Sequence, residues 1–394
     1  MKVVIAMDSF KGSMTSLEAG NAAKTGVLRA VPNAEVIVLP LADGGEGTVE
    51  ALIAGLRGDR IEITVSNPLR RPTSCFYGVL PGNVAVMEMA QAAGLTKITE
   101  SERNPLVTST YGVGEMIVDA IRRGCRSFVI GIGGSATNDG GVGMLQALGY
   151  QFLDKMGQPV KDGAVGLSAI VAIQDDNVIP ELEECQFHIA CDVDNPLCGA
   201  NGATFIYGPQ KGLPLELCQS IDDGMANFAS IAECFSKEQR EVGIRHSTQK
   251  FWIDTTMKYS ESPGAGAAGG LGFAFTAFLN GRLTSGVDLI LDTIHIEEEL
   301  ECANIVITGE GRLDGQTARG KAPIGVAKRA KKYDCHVLAF VGCVGAGAKK
   351  CILEGIDAYY SIGEEGASLE ECMQPENAIV NLENKVEEVF RKEI

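Results

Sequence analysis

Short apolar runs that end in glycine-rich polar loops and lead into helix signals occupy both ends of this chain, and that alternation narrows its fold more than any other feature. Lys2–Met7 reads as a buried strand followed by the loop Asp8-Ser9-Phe10-Lys11-Gly12-Ser13. Thr15-Ser16-Leu17-Glu18 then has the spacing of a capping box and opens a helix to about Val31. Glu35–Leu41 reads as a second strand, and Asp43-Gly44-Gly45-Glu46-Gly47 enters a helix to about Leu56. Near the other terminus Asn304–Thr308, His336–Gly342 and Ala358–Ile362 read as strands, with Pro323–Tyr333 the clearest helix. Apolar strands joined by helices are the pattern of a parallel sheet covered on both faces.

The middle of the chain has another character. Arg60–Val65, Cys75–Leu80 and Ala85–Met89 read as strands separated by Asn-Pro and Pro-Gly turns, which indicates an antiparallel or mixed sheet. A helix at about Gly112–Arg123 leads to the strand Ser127–Ile132, and Gln186–Asp192 reads as another strand. The expectation is therefore a two-domain α/β protein. Residues 1–60 and 286–394 would form one parallel-sheet domain from both termini, with an inserted mixed α/β domain at 61–285.

Composition excludes several alternatives. With 34 basic against 51 acidic side chains the net charge is −17, and phosphate-backbone binding needs a basic face. The one dense basic run, Lys328-Arg329-Ala330-Lys331-Lys332, reads as the solvated face of a helix, so no nucleic-acid partner is expected. None of the twelve cysteines is spaced as Cys-x-x-Cys, and neither Cys185/His188/Cys191 nor Cys335/His336 has zinc-site spacing. The apolar run Val3–Met7 is too short for a signal peptide, so a cytoplasmic protein with reduced cysteines is expected. Ser262–Gly281 carries no charge and has the length of a membrane span, but its glycines and Pro263 favour a loop running into a buried helix. No membrane partner is expected, and the sequence leaves a homodimer open.

Three segments carry polar groups among glycines. Gly131-Ile132-Gly133-Gly134-Ser135-Ala136-Thr137-Asn138-Asp139-Gly140-Gly141 follows a strand and enters a helical pattern, where backbone amides could cradle a phosphate. It also fits a dinucleotide turn, with Asp154 as a ribose-binding acid, so a nicotinamide-dependent 2-hydroxyacid dehydrogenase stands as a rival. Gly264-Ala265-Gly266-Ala267-Ala268-Gly269-Gly270 contains Gly-x-Gly-x-x-Gly without a preceding strand, and fits close packing as well as nucleotide contact. In the third, Thr308-Gly309-Glu310-Gly311-Arg312-Leu313-Asp314 to Lys321, Gly315 to Lys321 has the Gly-x-x-x-x-Gly-Lys spacing of a P-loop, but Ala322 stands where a hydroxyl should hold Mg²⁺. It reads as a polar loop leaving the carboxyl end of a strand, where ligands bind in open parallel sheets. Asp8, Lys11, Asp43 and Glu46 leave the carboxyl ends of the N-terminal strands, and Glu88, Asp192 and Asn195 repeat the arrangement in the middle. The histidines, His188, His246, His295 and His336, stand in no triad or metal-ligand context.

Taken in order, DSFKGS at 8–13, LADGGEGT at 41–48, GIGGSATNDGG at 131–141, CDVDNPLCG at 191–199, GPQKG at 208–212, PGAGAAGGLGF at 263–273 and ITGEGRLDGQTARGKAPIGVA at 307–327 resemble the bacterial class I glycerate kinases. Met7 stands where that family commonly has Pro, Val113 where Thr is expected, and the stretch after Met156 looks shortened. The resemblance implies ATP-dependent phosphorylation of D-glycerate to 2-phosphoglycerate, with the 3-phosphate as the lesser alternative. It also implies a flavodoxin-like domain with an inserted second domain, the ligands lying between them, and ATP and Mg²⁺ as cofactors. A metabolite-sensing protein that kept the fold without catalysis is the non-enzymatic alternative.

Within that scheme Gly133, Gly134, Ser135, Thr137, Asn138 and Asp139 would bind phosphate, with Gly264 and Gly266 as further nucleotide contacts. Lys11, Arg312 and Lys321 would neutralise phosphate or carboxylate. Asp8, Ser9, Glu88 and Asn195 are substrate-binding candidates, and Asp43, Glu46, Glu310 and Asp314 are Mg²⁺ candidates, with Asp8 also open as a metal ligand. Asp192 is the first candidate to accept the hydroxyl proton, and Asp139 the second.

Overall fold

The computed structural model describes residues 1–42, 44–45, 47–241, 258–364, 366 and 368–393. Its strands run in the order β1 (Lys2–Met7), β2 (Glu35–Pro40), β3 (Asp59–Ser66), β4 (Pro72–Leu80), β5 (Val84–Glu88), β6 (Ser127–Gly131), β7 (Gln151–Leu153), β8 (Ala172–Gln174), β9 (Gln186–Ala190), β10 (Arg282–Thr284), β11 (Ile305–Leu313), β12 (His336–Val344) and β13 (Ala358–Ser361). The chain divides into two units, Met1–Gly58 with Gly286–Ile394, and Asp59–Ser285.

The first unit is built on an all-parallel sheet in the order β13-β12-β11-β1-β2. Counted along this unit alone, that is the 2-1-3-4-5 order of a flavodoxin-like fold, whose direction of winding reverses between β1 and β11. Val3 to Ala6 are completely buried, as a central strand covered on both faces requires. The helix Ser16–Ala30 starts as its sequence indicates: Glu18 N donates to Thr15 Oγ1 at 3.2 Å and Thr15 N donates to Glu18 Oε2 at 2.8 Å. Its buried face, Ala19, Ala23 and Val27, shares a core with Leu382, Val386 and Phe390 of the helix Pro375–Glu393.

The second unit carries a six-stranded sheet in the order β10-β9-β6-β5-β4-β3. β10, β9, β6 and β5 are parallel, while β4 and β3 add antiparallel strands beyond β5. β7 and β8 form a separate antiparallel pair. A large apolar core is filled with phenylalanines: Phe128 stacks on Phe187 at 4.8 Å, and Phe228 meets Phe273 edge-on at 5.6 Å. The uncharged stretch becomes the helix Ala267–Leu279, which begins with a kink where Ala268, Gly269 and Gly270 have positive φ. Among the described residues no helix is long and apolar enough to cross a membrane.

β11 runs five residues past the expected end at Thr308, so Glu310 and Arg312 belong to a strand and not to a loop. The cause is the neighbour. β12 supplies partners as far as Arg312↔Cys343 and Leu313↔Val344, and Gly309 lets the strands close up, since a Cβ there would lie 2.0 Å from the Phe340 carbonyl oxygen. The apolar run ends at Thr308, but backbone pairing does not.

Gly269 combines a φ of +69° with a Cβ position 2.1 Å from the Thr137 carbonyl oxygen. Gly269→Ala is expected to cost at least about 2 kcal/mol through left-handed strain and overpacking, read as an earlier thermal unfolding transition.

Candidate functional site

In the first unit, the reversal of strand order brings the loop after β1 against β11. Asp8 N donates to the Gly309 carbonyl at 2.9 Å, and the Asp8 carboxylate, nearly buried, accepts from Ser9 N at 2.7 Å. A Cβ on Gly311 would lie 3.7 Å from Phe10 Cα and 3.8 Å from Lys11 N, and the Lys11 residue is exposed. Glu310 is buried on β11 and accepts a hydrogen bond from Thr317 Oγ1. Burial pushes its carboxyl up to about 7, with the charges of Asp8 and Asp314 adding to the rise and Thr317 and Lys321 opposing it. Lys321 stands exposed at the start of the helix Ala322–Ala330.

Arg312 Nε lies 3.4 Å from Asp314 Oδ2, and the Arg312 side chain is largely exposed. Asp314 Oδ1 accepts from Gln316 N at 2.8 Å, which holds its carboxyl below the usual range. These residues border a cavity of about 560 Å³ whose charged lining is Arg312, Arg319 and Lys350 with Asp314 and Glu354. Asp314 thus shapes its own loop as much as it faces the cavity.

Glu310 lies within the fields of Asp8 and Asp314, and a cation beside it would favour its charged form. Mg²⁺ is usually held by one or two carboxylates together with substrate phosphates, and Asp8 and Glu310 fit that pattern. Among the described residues no three His, Cys, Asp or Glu side chains gather as a ready-made metal cage. Asp43 and Glu46, expected as Mg²⁺ ligands, lie outside the described residues, as does His246.

In the second unit, the turn after β6 is pinned to the segment after β5: Leu95 N donates to Gly134 O at 3.0 Å and Ala136 N to Ala93 O at 2.9 Å. Gly133 and Gly134 are exposed, and a Cβ on Gly133 would meet nothing within 4 Å. Ser135 is nearly buried, and its Oγ accepts from Lys211 Nζ at 2.7 Å. The same Nζ donates to the Thr137 carbonyl at 2.7 Å.

Beyond Ser135 the segment turns inward, which corrects part of the expectation. Asp139 is buried and its oxygens accept from Thr110 N, Thr110 Oγ1, Gly141 N and Gly143 N at 2.8–3.2 Å. Two of the amides that open the helix Val142–Ala147, Gly141 N and Gly143 N, are therefore taken by the Asp139 carboxylate, and Met144 N by Thr110 Oγ1, so the buried Asp139 anchors this turn where a phosphate contact or base was expected. Thr137 and Asn138 are also fully buried; Asn138 Nδ2 donates to Thr204 Oγ1 at 3.0 Å. Thr137 Oγ1 and Asn138 Oδ1 have no partner among the described residues. The outward face of the turn is Gly133, Gly134 and the edge of Ser135.

Gly264 and Gly266 face protein. A Cβ at Gly264 would lie 2.9 Å from Leu283 Cδ1 and 3.0 Å from Cys191 Sγ, and one at Gly266 would lie 2.2 Å from the Pro196 carbonyl oxygen. Close packing explains both glycines, and the nucleotide contact expected of them has no room on that side. Asn195 is clamped from both ends, with Tyr207 OH donating to its Oδ1 at 2.6 Å and its Nδ2 donating to Asn201 O at 2.8 Å. Glu88 is buried at the carboxyl end of β5, and Asp192 is exposed just past β9. Asp154, the ribose-binding candidate of the dehydrogenase reading, caps a turn by accepting from Met156 N at 2.8 Å and Gln158 N at 2.9 Å.

Sequence reasoning assigned no role to Lys211, Thr317, Thr110 or Tyr207. Lys211 lies in the GPQKG segment, and its only signal there is a lysine flanked by glycines in a polar loop; its burial comes from the fold. Burial pushes the Lys211 ammonium down to about 7 against the favourable charge of Asp139, while Asp139 is itself raised by burial. The unfolded chain then binds more protons than the folded one between about pH 7 and the ordinary lysine range, so stability rises with pH there. Cys75, Cys185 and Cys198, each pushed up to about 12 by burial, work against this as pH passes the ordinary thiol range of about 8.5. Other groups titrate in the same range, so the comparison isolates Lys211: between about pH 7 and 8.5 the stability of wild type relative to Lys211→Met, measured by denaturant unfolding, is expected to rise by up to about 1.4 kcal/mol per pH unit.

Comparison with known proteins covers nearly the whole length of the chain. A sequence model described as "Glycerate kinase family" matches residues 3–392. The glycerate kinase of Halalkalibacterium halodurans is 43% identical over 96% of this chain and 95% of its own length. The glycerate 2-kinase of Escherichia coli K12 is 39% identical over 95% of this chain and 93% of its own. A Salmonella typhimurium LT2 protein crystallised under the name glycerate kinase 2 superposes with a TM-score of 0.86 at 38% identity, covering 99% of this chain and 97% of that one. The chain is a phosphotransferase and belongs to the glycerate kinase family.

Proposed function

We propose that this enzyme transfers the γ-phosphoryl group of ATP to a hydroxyl of D-glycerate, giving 2-phosphoglycerate. The observation that carries this reading is near-full-length similarity to glycerate kinases, among them one named a 2-kinase, in a chain whose glycine and charged motifs lie at the carboxyl ends of parallel strands. The substrates are small dissolved anions, and a cytoplasmic location belongs to the same reading.

Phosphoryl transfer asks a protein for positioning and charge stabilisation more than for covalent chemistry. The exposed amides of Gly133 and Gly134 and the edge of Ser135 would cradle phosphate oxygens. Lys11, Arg312 and Lys321 would neutralise phosphate or the glycerate carboxylate, in keeping with their exposed positions. Asp8 and Glu310 would hold Mg²⁺, which when bound supplies positive charge on the transferring phosphate. Asp192 would accept the hydroxyl proton as the new phosphoester bond forms, and Ser9 and Glu88 would contact glycerate.

³¹P NMR of the enzyme with ATP, Mg²⁺ and D-glycerate is expected to give a new phosphomonoester peak with the coupling of the 2-phosphate, absent with L-glycerate or without acceptor. Intact ATP in all three samples overturns the reading. Gly133→Ala has room in the fold, so its melting temperature should stay within about 2 °C of wild type. Its KM for ATP should rise about tenfold, a loss of roughly 1.4 kcal/mol, because the added methyl occupies the cradle. Asp192→Asn should lower kcat by roughly 10²–10⁴ with little change in KM; near-normal turnover in the folded variant assigns proton acceptance elsewhere.

A further inference from the structure

Lys211 is among the largest fully buried side chains of the chain, with only 2% of its surface exposed. Lysine is almost never buried in this way without a compensating partner, because an ammonium loses its hydration. A short 3₁₀ turn, Pro209–Lys211, and Gly212 at a φ of +95° deliver the side chain inward. A Cβ on Gly212 would lie 2.3 Å from the Arg103 carbonyl oxygen, so the backbone there has little freedom to withdraw. The ammonium ends at Ser135 Oγ and the Thr137 carbonyl, both at 2.7 Å, within the field of the Asp139 carboxylate.

These partners are the inner side of the turn whose outer side is Gly133 and Gly134. The lysine nitrogen is thus held on the dry face of an open backbone cradle, where an anion arriving at the outer face would favour its charged form. Charge in a low-dielectric setting acts on an approaching anion far more strongly than a hydrated surface lysine would. A neutral hydrogen-bonding residue could have linked Ser135 to Thr137 without the desolvation cost of a cation.

We propose that Lys211 is a positioning residue for phosphoryl transfer: through Ser135 Oγ and the Thr137 carbonyl it fixes the Gly133–Ser135 turn and sets positive charge behind the face that receives a nucleotide phosphate. The proposal rests on the reading of that turn as a phosphate cradle. Lys211 does not touch substrate in this scheme; it acts through the turn.

The test compares wild type, Lys211→Met, Ser135→Ala and the double variant by ATP equilibrium dialysis, by KM and kcat with ATP and D-glycerate, and by melting temperature. Lys211→Met is expected to raise the KM for ATP by about tenfold while leaving the KM for glycerate within about twofold, a split that lost stability alone would not produce. Ser135→Ala should raise the ATP KM less, and the double variant should be no worse than Lys211→Met, since both act on one link. An ATP KM in folded Lys211→Met equal to wild type, or full additivity in the double variant, overturns the proposal. Should Lys211→Met fail to fold, Lys211→Gln, which keeps a donor and removes the charge, decides by the same split: an ATP KM unchanged from wild type overturns the proposal, and one raised with the glycerate KM unchanged supports it. A wild-type enzyme that binds no ATP removes the underlying reading and the proposal with it, whereas an active wild type with unaffected variants removes the proposal alone.

Discussion

Parallel pairing of strands is the constraint on which the rest of this structure depends. It sends every strand's carboxyl end to the same edge of its sheet, so loops distant in sequence emerge together without any contact having to gather them. In the first unit this places the segment after Met7 beside Glu310 and Arg312, and the β1–β11 reversal opens the space between the loops that follow. In the second unit β5, β6 and β9 deliver Glu88, the Gly133–Ser135 turn and Asp192 by the same rule. The antiparallel strands β3 and β4 widen that sheet and contribute none of these residues.

Buried charge distinguishes the site from the surface. The exposed ion pairs of the chain, such as Lys258–Glu261 at 3.0 Å, contribute little because water screens them. Asp139, Lys211 and Glu310 lie out of water and are each pushed towards neutrality by burial. Asp139 is compensated by four hydrogen bonds and Lys211 by two, whereas Glu310 has one from Thr317 and is opposed by the charges of Asp8 and Asp314. The first two groups hold a loop in shape. The third keeps its proton more readily than an ordinary carboxyl, and a cation beside it would favour the charged form.

Much of the architecture was legible in the sequence because it rests on local signals. The apolar runs located β1, β2, β12 and β13, the Thr15–Glu18 box placed the first helix, and the change of strand pattern after residue 60 marked the mixed sheet. What was not legible depends on partners. β11 continues through Glu310 because β12 offers backbone groups to it, which no periodicity records. Asp139 and Asn138 look like ligand contacts in a glycine-rich string, yet the turn direction after Ser135 buries them. Gly264 and Gly266 look like a nucleotide motif and serve close packing. Lys211 was visible as a lysine but not as a buried one, since only the packed fold decides which polar side chains lose water.

The first unit is assembled from both termini, and this fixes the order in which it can come into being. β1 lies between β2 and β11, and Lys2 N donates to Asn304 Oδ1 across 302 residues of sequence. On a ribosome, the first strands emerge long before the chain that completes their sheet, while residues 59–285 can collapse on their own core. β1 can pair with β2 early, but its other edge must await β11 through that interval, and an open edge on so apolar a strand is where a prematurely terminated chain would misassemble.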